Sequence, residues 1–157
     1  MTTLQRKLVL FLVSGAGAGY VPLLPGTVGT LVAVPLSLAI NHLAVNQLPL
    51  AILIVVVSIL CAIWLATRGA IILKQKDPQL IVIDEIVGFF VANFLAPPRL
   101  APVLWSFLLF RFFDITKVFP TNRLERLPGG AGIVLDDVMA GVYTLIVVRL
   151  LLTMGWI

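Results

Sequence analysis

The stretch LAILIVVVSILCAIWLAT, residues 50–67, runs for eighteen residues without a charge or a proline and is closed by Arg68. As a helix rising 1.5 Å per residue it extends about 27 Å, close to the ~30 Å hydrocarbon layer of a bilayer. It is the centre of a larger feature. From Leu8 to Thr67 there are 60 consecutive residues without Asp, Glu, Lys or Arg, about three times what one crossing needs. Across the 157 residues, 61% are hydrophobic, 11% are charged and mean hydropathy is +1.13, which excludes a soluble globular domain, a disordered chain and a secreted disulfide scaffold.

Open backbone cannot face lipid, and the alternating pattern of a membrane barrel is missing, so the chain is predicted to be all-α. The expected fold is one domain over 1–157, a multi-pass α-helical membrane bundle with short, partly interfacial helices. A short amphipathic helix is predicted at 4–13. SGAGAG at 14–19 follows, with Gly15 and Gly19 at a spacing that permits close helix contact. PGTVGT at 25–30 reads as a loop leading into a helix over 28–44 that Pro35 kinks. Beyond the 50–67 span, helices are predicted at 80–96, at 102–117 and at 132–154, with a polar loop at 121–130.

The few charges are unevenly placed. Lys and Arg gather at the N-terminus and in the connections at 68–79 and 117–131, while 41–49 has none and 97–101 has only Arg99. The positive-inside rule therefore puts the basic connections in the cytoplasm. Five of the seven acids, Asp84, Glu85, Asp114, Asp136 and Asp137, lie in or at the edges of apolar segments, and this topology brings all five to the cytoplasmic surface. Asp77 and Glu125 read as ordinary surface acids. Intramembrane carboxylates are costly and are retained for function.

IVIDEIVG (81–88) resembles IVLDDVMAG (133–141), each with two adjacent acids and a glycine one turn after one of them, where a ligand or helix can approach. Between them, Arg111, Asp114 and Lys117 recur every three residues along one predicted helix stripe. Carboxylates supply hard oxygen ligands for Mg²⁺, and guanidinium and ammonium groups neutralise phosphate, so the pattern fits metal-assisted phosphate chemistry. In PGTVGT, Thr27 and Thr30 can cap the following helix, whose free N–H groups suit an anion. Chemistry based on cysteine or histidine is disfavoured by the single Cys61 in an apolar run and the single His42. The scattered basic residues disfavour nucleic-acid binding.

Four ordered motifs, PGTVGT (25–30), DEIVG (84–88), FRFFDITK (110–117) and GGAGIVLDDVMAG (129–141), resemble the phosphatidylglycerophosphatase A family of bacterial lipid phosphatases. The resemblance implies a Mg²⁺-dependent inner-membrane enzyme that hydrolyses phosphatidylglycerophosphate to phosphatidylglycerol and phosphate. The family continues its Lys with a Pro-rich run, where this chain has Val118-Phe119-Pro120.

On this reading Asp84, Glu85, Asp114, Asp136 and Asp137 hold the metal, and Asp84, Asp114, Asp136 and Asp137 also serve in catalysis. Arg111, Lys117, Thr27 and Thr30 bind the substrate's phosphate-bearing head. Either an activated water or a carboxylate could be the nucleophile. The competing reading is a small cation transporter or channel subunit, which requires its acids at mid-depth with water on both sides. Arg149, about 18 Å along a helix from Asp137, is expected to snorkel to the far interface or to pair within a homo-oligomer.

Overall fold

The computed structural model describes all 157 residues and is entirely helical. Helix α1 spans Thr3–Val13, α2 Pro25–Asn46, α3 Leu48–Leu73, α4 Ile83–Ala92, α5 Leu100–Thr116, α6 Thr121–Leu124 and α7 Gly130–Thr153, with a single 3₁₀ turn at Ala18–Tyr20. Three of these, α2, α3 and α7, are long and apolar enough to cross a membrane. The chain is a membrane protein built on those helices.

The 50–67 stretch becomes the 26-residue α3, which continues past Arg68 to Leu73. Its inward face is mostly small and its outward face mostly large: Ala51, Ala62 and Ala66 are fully buried, whereas Leu53, Val56, Leu60 and Trp64 are exposed. With lipid as solvent, burying large side chains between helices brings no hydrophobic gain, and small ones let the helices approach. The Arg68 guanidinium lies over the Trp64 ring, 5.7 Å from its centroid, an amphipathic pair suited to the interface.

At 10 residues α4 rises only about 15 Å, too little to cross. It enters from one end of the bundle, stops inside it and turns, and α5 returns the chain. Backbone ending within a membrane protein must find internal partners. Asn41 of α2 supplies three: its Nδ2 donates to the carbonyls of Asn93 (2.7 Å) and Ala96 (3.3 Å), and its Oδ1 accepts from Leu95 N (2.8 Å). Asn93 Nδ2 donates to Ser37 Oγ, and Arg149 of α7 donates from Nη2 to the Phe94 carbonyl at 2.9 Å. Arg149 is thus tied to the end of α4, a role that neither snorkelling nor oligomer pairing anticipates.

Several sequence expectations are corrected. SGAGAG makes its close contact from turns and not from a helix: Gly15, Ala16 and Gly17 all take positive φ, and Gly15 lies tight against Val82 and Ile86 at the start of α4. Gly19 then lies so close to the Leu80 backbone that a Cβ would strike its carbonyl. The segment before α4 stays non-helical because it packs on those turns, with Val82 N donating to Val13 O at 2.9 Å. PGTVGT is not a loop. Pro25 opens α2 at its first position, where its missing N–H costs nothing, and Gly26 to Thr30 are helical. The close small-residue crossing lies between α4 and α7, where a Cβ at Gly141 would meet the Gly88 carbonyl and one at Gly88 would meet the Asp137 carbonyl.

Candidate active site

The Gly88–Gly141 crossing presses the first turn of α4 against the second turn of α7 and so sets the two acid pairs side by side. The start of α7 is held from the other flank. Gly130 N donates to Thr67 Oγ1 of α3 at 2.8 Å, and a Cβ at Gly130 would collide with the Ile63 carbonyl. The paired glycines of the 129–141 motif therefore let α7 begin tight against α3. Helix α5 brings Arg111 and Asp114 in its last turns, and α2 brings its N-terminal turn.

Together they enclose a cavity of about 400 Å³ at one end of the bundle, lined by Gly26, Asp77, Asp84, Glu85, Arg111, Asp114, Lys117, Asp136 and Asp137 among others. All five acids singled out from the sequence and both bases line it. They lie at one end of the bundle.

The five acids are not equivalent. One ligand oxygen each from Asp84, Glu85 and Asp137 lies within 4.8 Å of the others, a spacing that suits a shared cation. Asp84 Oδ1, Glu85 Oε2 and Asp137 Oδ2 are buried and have no hydrogen-bond partner within the protein. Buried carboxylate oxygens without partners are costly, and three carboxylates this close together fit a hard divalent cation such as Mg²⁺.

The other two acids each hold a base. Asp114 Oδ2 is 2.6 Å from Arg111 Nη1, and Glu85 Oε1 is 3.8 Å from the same nitrogen. Arg111 Nε and Nη1 nonetheless make no hydrogen bond of good geometry within the protein, so donors remain for a ligand anion. Asp136 Oδ2 accepts from Lys117 Nζ at 3.2 Å.

Lys117 reaches the site by a route the sequence stripe did not predict. Helix α5 ends at Thr116, and Lys117 takes a left-handed backbone (φ +46°) as its C-cap. Its side chain turns to Asp136 and to Glu125, 3.0 Å away. Partial burial acts to lower the Lys117 pKa, but the hydrogen bonds to Glu125 and Asp136 and their charges outweigh it and leave the ammonium above the ordinary lysine value.

The two threonines are placed differently from their expected role. Thr30 is fully buried and its hydroxyl donates back to the Gly26 carbonyl at 2.8 Å, and neither Thr30 nor Thr27 lines the cavity. What the motif contributes is Gly26. A Cβ there would strike the Glu85 carboxylate and crowd Arg111, so only glycine lets the α2 terminus close this wall. Asp77 and Glu125, read from sequence as surface acids, also belong here: Asp77 lines the cavity and Glu125 pairs with Lys117. No spacing signal could have found them, because both sit in connections whose path only packing decides.

The family model for phosphatidylglycerophosphatase A matches residues 11–152. A relative of that name from Haemophilus influenzae is 35% identical, over 85% of this chain and 82% of its own length. Another, from Escherichia coli, is 32% identical over 82% of this chain and 74% of its own. A Bacteroides thetaiotaomicron protein provisionally named a phosphatidylinositol-3-phosphatase is 34% identical over 86% of this chain and 87% of its own. No solved structure matches the chain. With the match covering all four motifs and every residue of the charged cavity, the chain belongs to the phosphatidylglycerophosphatase A family.

Proposed function

We propose that this protein is a Mg²⁺-dependent lipid phosphatase that hydrolyses phosphatidylglycerophosphate to phosphatidylglycerol and phosphate in phospholipid synthesis, at the cytoplasmic face of a bacterial inner membrane. One observation carries the metal assignment: Asp84, Glu85 and Asp137 each bring a ligand oxygen within 4.8 Å of the others, and each has a buried oxygen without a partner, beside the Arg111 guanidinium. Bound there, Mg²⁺ would supply charge neutralisation at the phosphoryl group and lower the pKa of a coordinated water.

The residues of the chain divide the remaining work. Arg111 donates to the phosphate oxygens while the adjacent Asp114 carboxylate holds the guanidinium in place by charge. Lys117, held between Glu125 and Asp136, adds a second positive charge at the cavity wall. In the reaction a water oxygen bonds to phosphorus as the phosphorus–oxygen bond to the glycerol head breaks. A carboxylate of the Asp136–Asp137 pair accepts the water's proton, and the leaving alkoxide is protonated to the free hydroxyl.

The cytoplasmic assignment rests on Lys74, Lys76, Arg123 and Arg126, which lie in connections at the same end as the cavity, whereas the α2–α3 connection at the other end has no basic residue. The test is phosphate release from phosphatidylglycerophosphate with Mg²⁺ and after chelation, with phosphatidylinositol 3-phosphate run in parallel. Full activity after chelation overturns the metal assignment. Preference for the inositol lipid overturns the substrate.

A further inference from the structure

Arg149 is the one cationic side chain of the spanning helix α7, and the chain offers it no counter-charge. All seven acidic side chains lie at the other end of the bundle: six line the charged cavity, and Glu125 pairs with Lys117 beside it. A second copy packed alongside in the same membrane orientation brings its acids to that end too, so an oligomer supplies no partner. The bond from Arg149 Nη2 to the Phe94 carbonyl uses one of the five N–H donors of the guanidinium. A cation left in this state inside a membrane protein is costly.

Arg149 lines a groove of about 400 Å³, to which α7 also contributes Leu145, Ile146, Leu150 and Thr153. These five positions share one face of the helix. Ile146 and Leu150 are each 52% exposed, and on a spanning helix that face meets lipid. The turn after α4 forms the other wall with Phe94 and Leu95. The groove is graded along the membrane normal. Leu145 and Ile146 lie about one turn toward the membrane centre from Arg149, and Thr153 ends the helix about 6 Å beyond it. Apolar wall, cation and hydroxyl thus follow one another in the order of a phospholipid's acyl chain, phosphate and outer head. One turn from the helix end, the Arg149 head is within reach of the lipid phosphates.

We propose that this groove holds one anionic phospholipid of the leaflet opposite the cavity, its phosphate on the remaining Arg149 donors and an acyl chain along Leu145, Ile146 and Phe94. The site is separate from the reacting centre, since Arg149 follows Asp137 by 12 residues, about 18 Å along the helix. Charge complementarity selects the occupant. A guanidinium with spare donors matches phosphate in geometry as well as charge, and a net-negative lipid cancels the one charge of α7 that the protein leaves uncompensated.

The test is native mass spectrometry of the protein in nonionic detergent, counting the lipids retained as dioleoyl phosphatidylglycerol is added, with dioleoyl phosphatidylcholine in parallel. A lipid held in the charged cavity is common to wild type and variants, so the difference between them reports the groove. Arg149→Gln removes the charge and keeps an amide donor at that position. Ile146→Trp leaves Arg149 in place and fills the groove from its lipid-facing side, where a larger side chain does not threaten folding. Each is expected to weaken the binding of one copy of phosphatidylglycerol at least ~10-fold. Arg99→Gln, at the same end of the bundle but outside the groove, should leave that copy in place. Wild-type retention in either groove variant, an equal loss in Arg99→Gln, or equal retention of phosphatidylcholine overturns the site. Should Arg149→Gln fail to fold, Ile146→Trp decides. Displacement of the bound copy by the deacylated head, glycerophosphoglycerol, at the same concentration would make the groove a site for soluble anions and overturn the lipid assignment.

Discussion

Two polar clusters are buried in this bundle, one at each end of α4, and they are built on opposite terms. Beyond the last turn of α4, Ser37, Asn41, Asn93 and Arg149 spend their polar atoms on one another and on backbone carbonyls and the Leu95 N–H, leaving Asn93 Oδ1 as the one amide oxygen there without a partner. At the first turn, Asp84, Glu85 and Asp137 face one another with buried oxygens unpaired and like charges crowded. A buried polar group with partners makes structure, and one left without them inside a tightly packed fold is held there by the rest of the molecule for something absent from the chain. The rigid far end and the α4–α7 crossing over Gly88 and Gly141 are what hold the strained end in place.

The sharpest way to break this contrast is to neutralise the strained end. Asp84→Asn and Asp137→Asn should each lower phosphate release at least ~100-fold. The folded protein should be no less resistant to thermal denaturation in detergent, because a crowded charge has been removed. Lost activity accompanied by a large loss of stability would mean that the acids are structural. Arg111→Lys comes next. A point charge cannot reproduce the planar guanidinium fork, so kcat/KM should fall by about tenfold to 100-fold even though the charge is retained. A wild-type value would show that the fork is not used.

At the satisfied end, Asn41→Ala strands the carbonyls of Asn93 and Ala96 and the Leu95 N–H. It should cost roughly 1–3 kcal/mol of stability, with activity per folded molecule within about threefold of wild type. The comparison collapses if this variant keeps its stability but loses turnover. The smallest effect is expected at the half-exposed Lys117–Glu125 pair, where Glu125→Gln should change activity by less than about threefold and stability by under ~1 kcal/mol. A drop comparable to that of Asp84→Asn would move Glu125 into the reacting centre.

Much of the site was legible in the residues because charge is so expensive in this solvent. In a chain this apolar, Asp84, Glu85, Asp114, Asp136, Asp137, Arg111 and Lys117 stand out by being present at all, and one cavity receives all seven. Their division of labour was not legible. Adjacent Asp136 and Asp137 are alike in sequence, yet one turns to Lys117 and the other joins the α4 acids, since neighbours on a helix point about 100° apart and packing chooses which faces inward. The same holds for PGTVGT, where capping threonines were the visible feature and Gly26, which lets α2 approach Glu85, is the one that lines the cavity.

By itself the sequence determined the solvent and the all-helical class. Both follow from local properties: runs of apolar residues long enough to span lipid, and backbone that must bond within its own helix there. Tertiary structure alone decided that α4 stops inside the bundle, that Asn41 and Arg149 secure its end, and that Asp77 and Glu125 join the site. Those outcomes depend on contacts between residues about 50 or more positions apart, or on the path of a connection, and neither hydropathy nor spacing along one helix encodes which distant carbonyl a side chain will find.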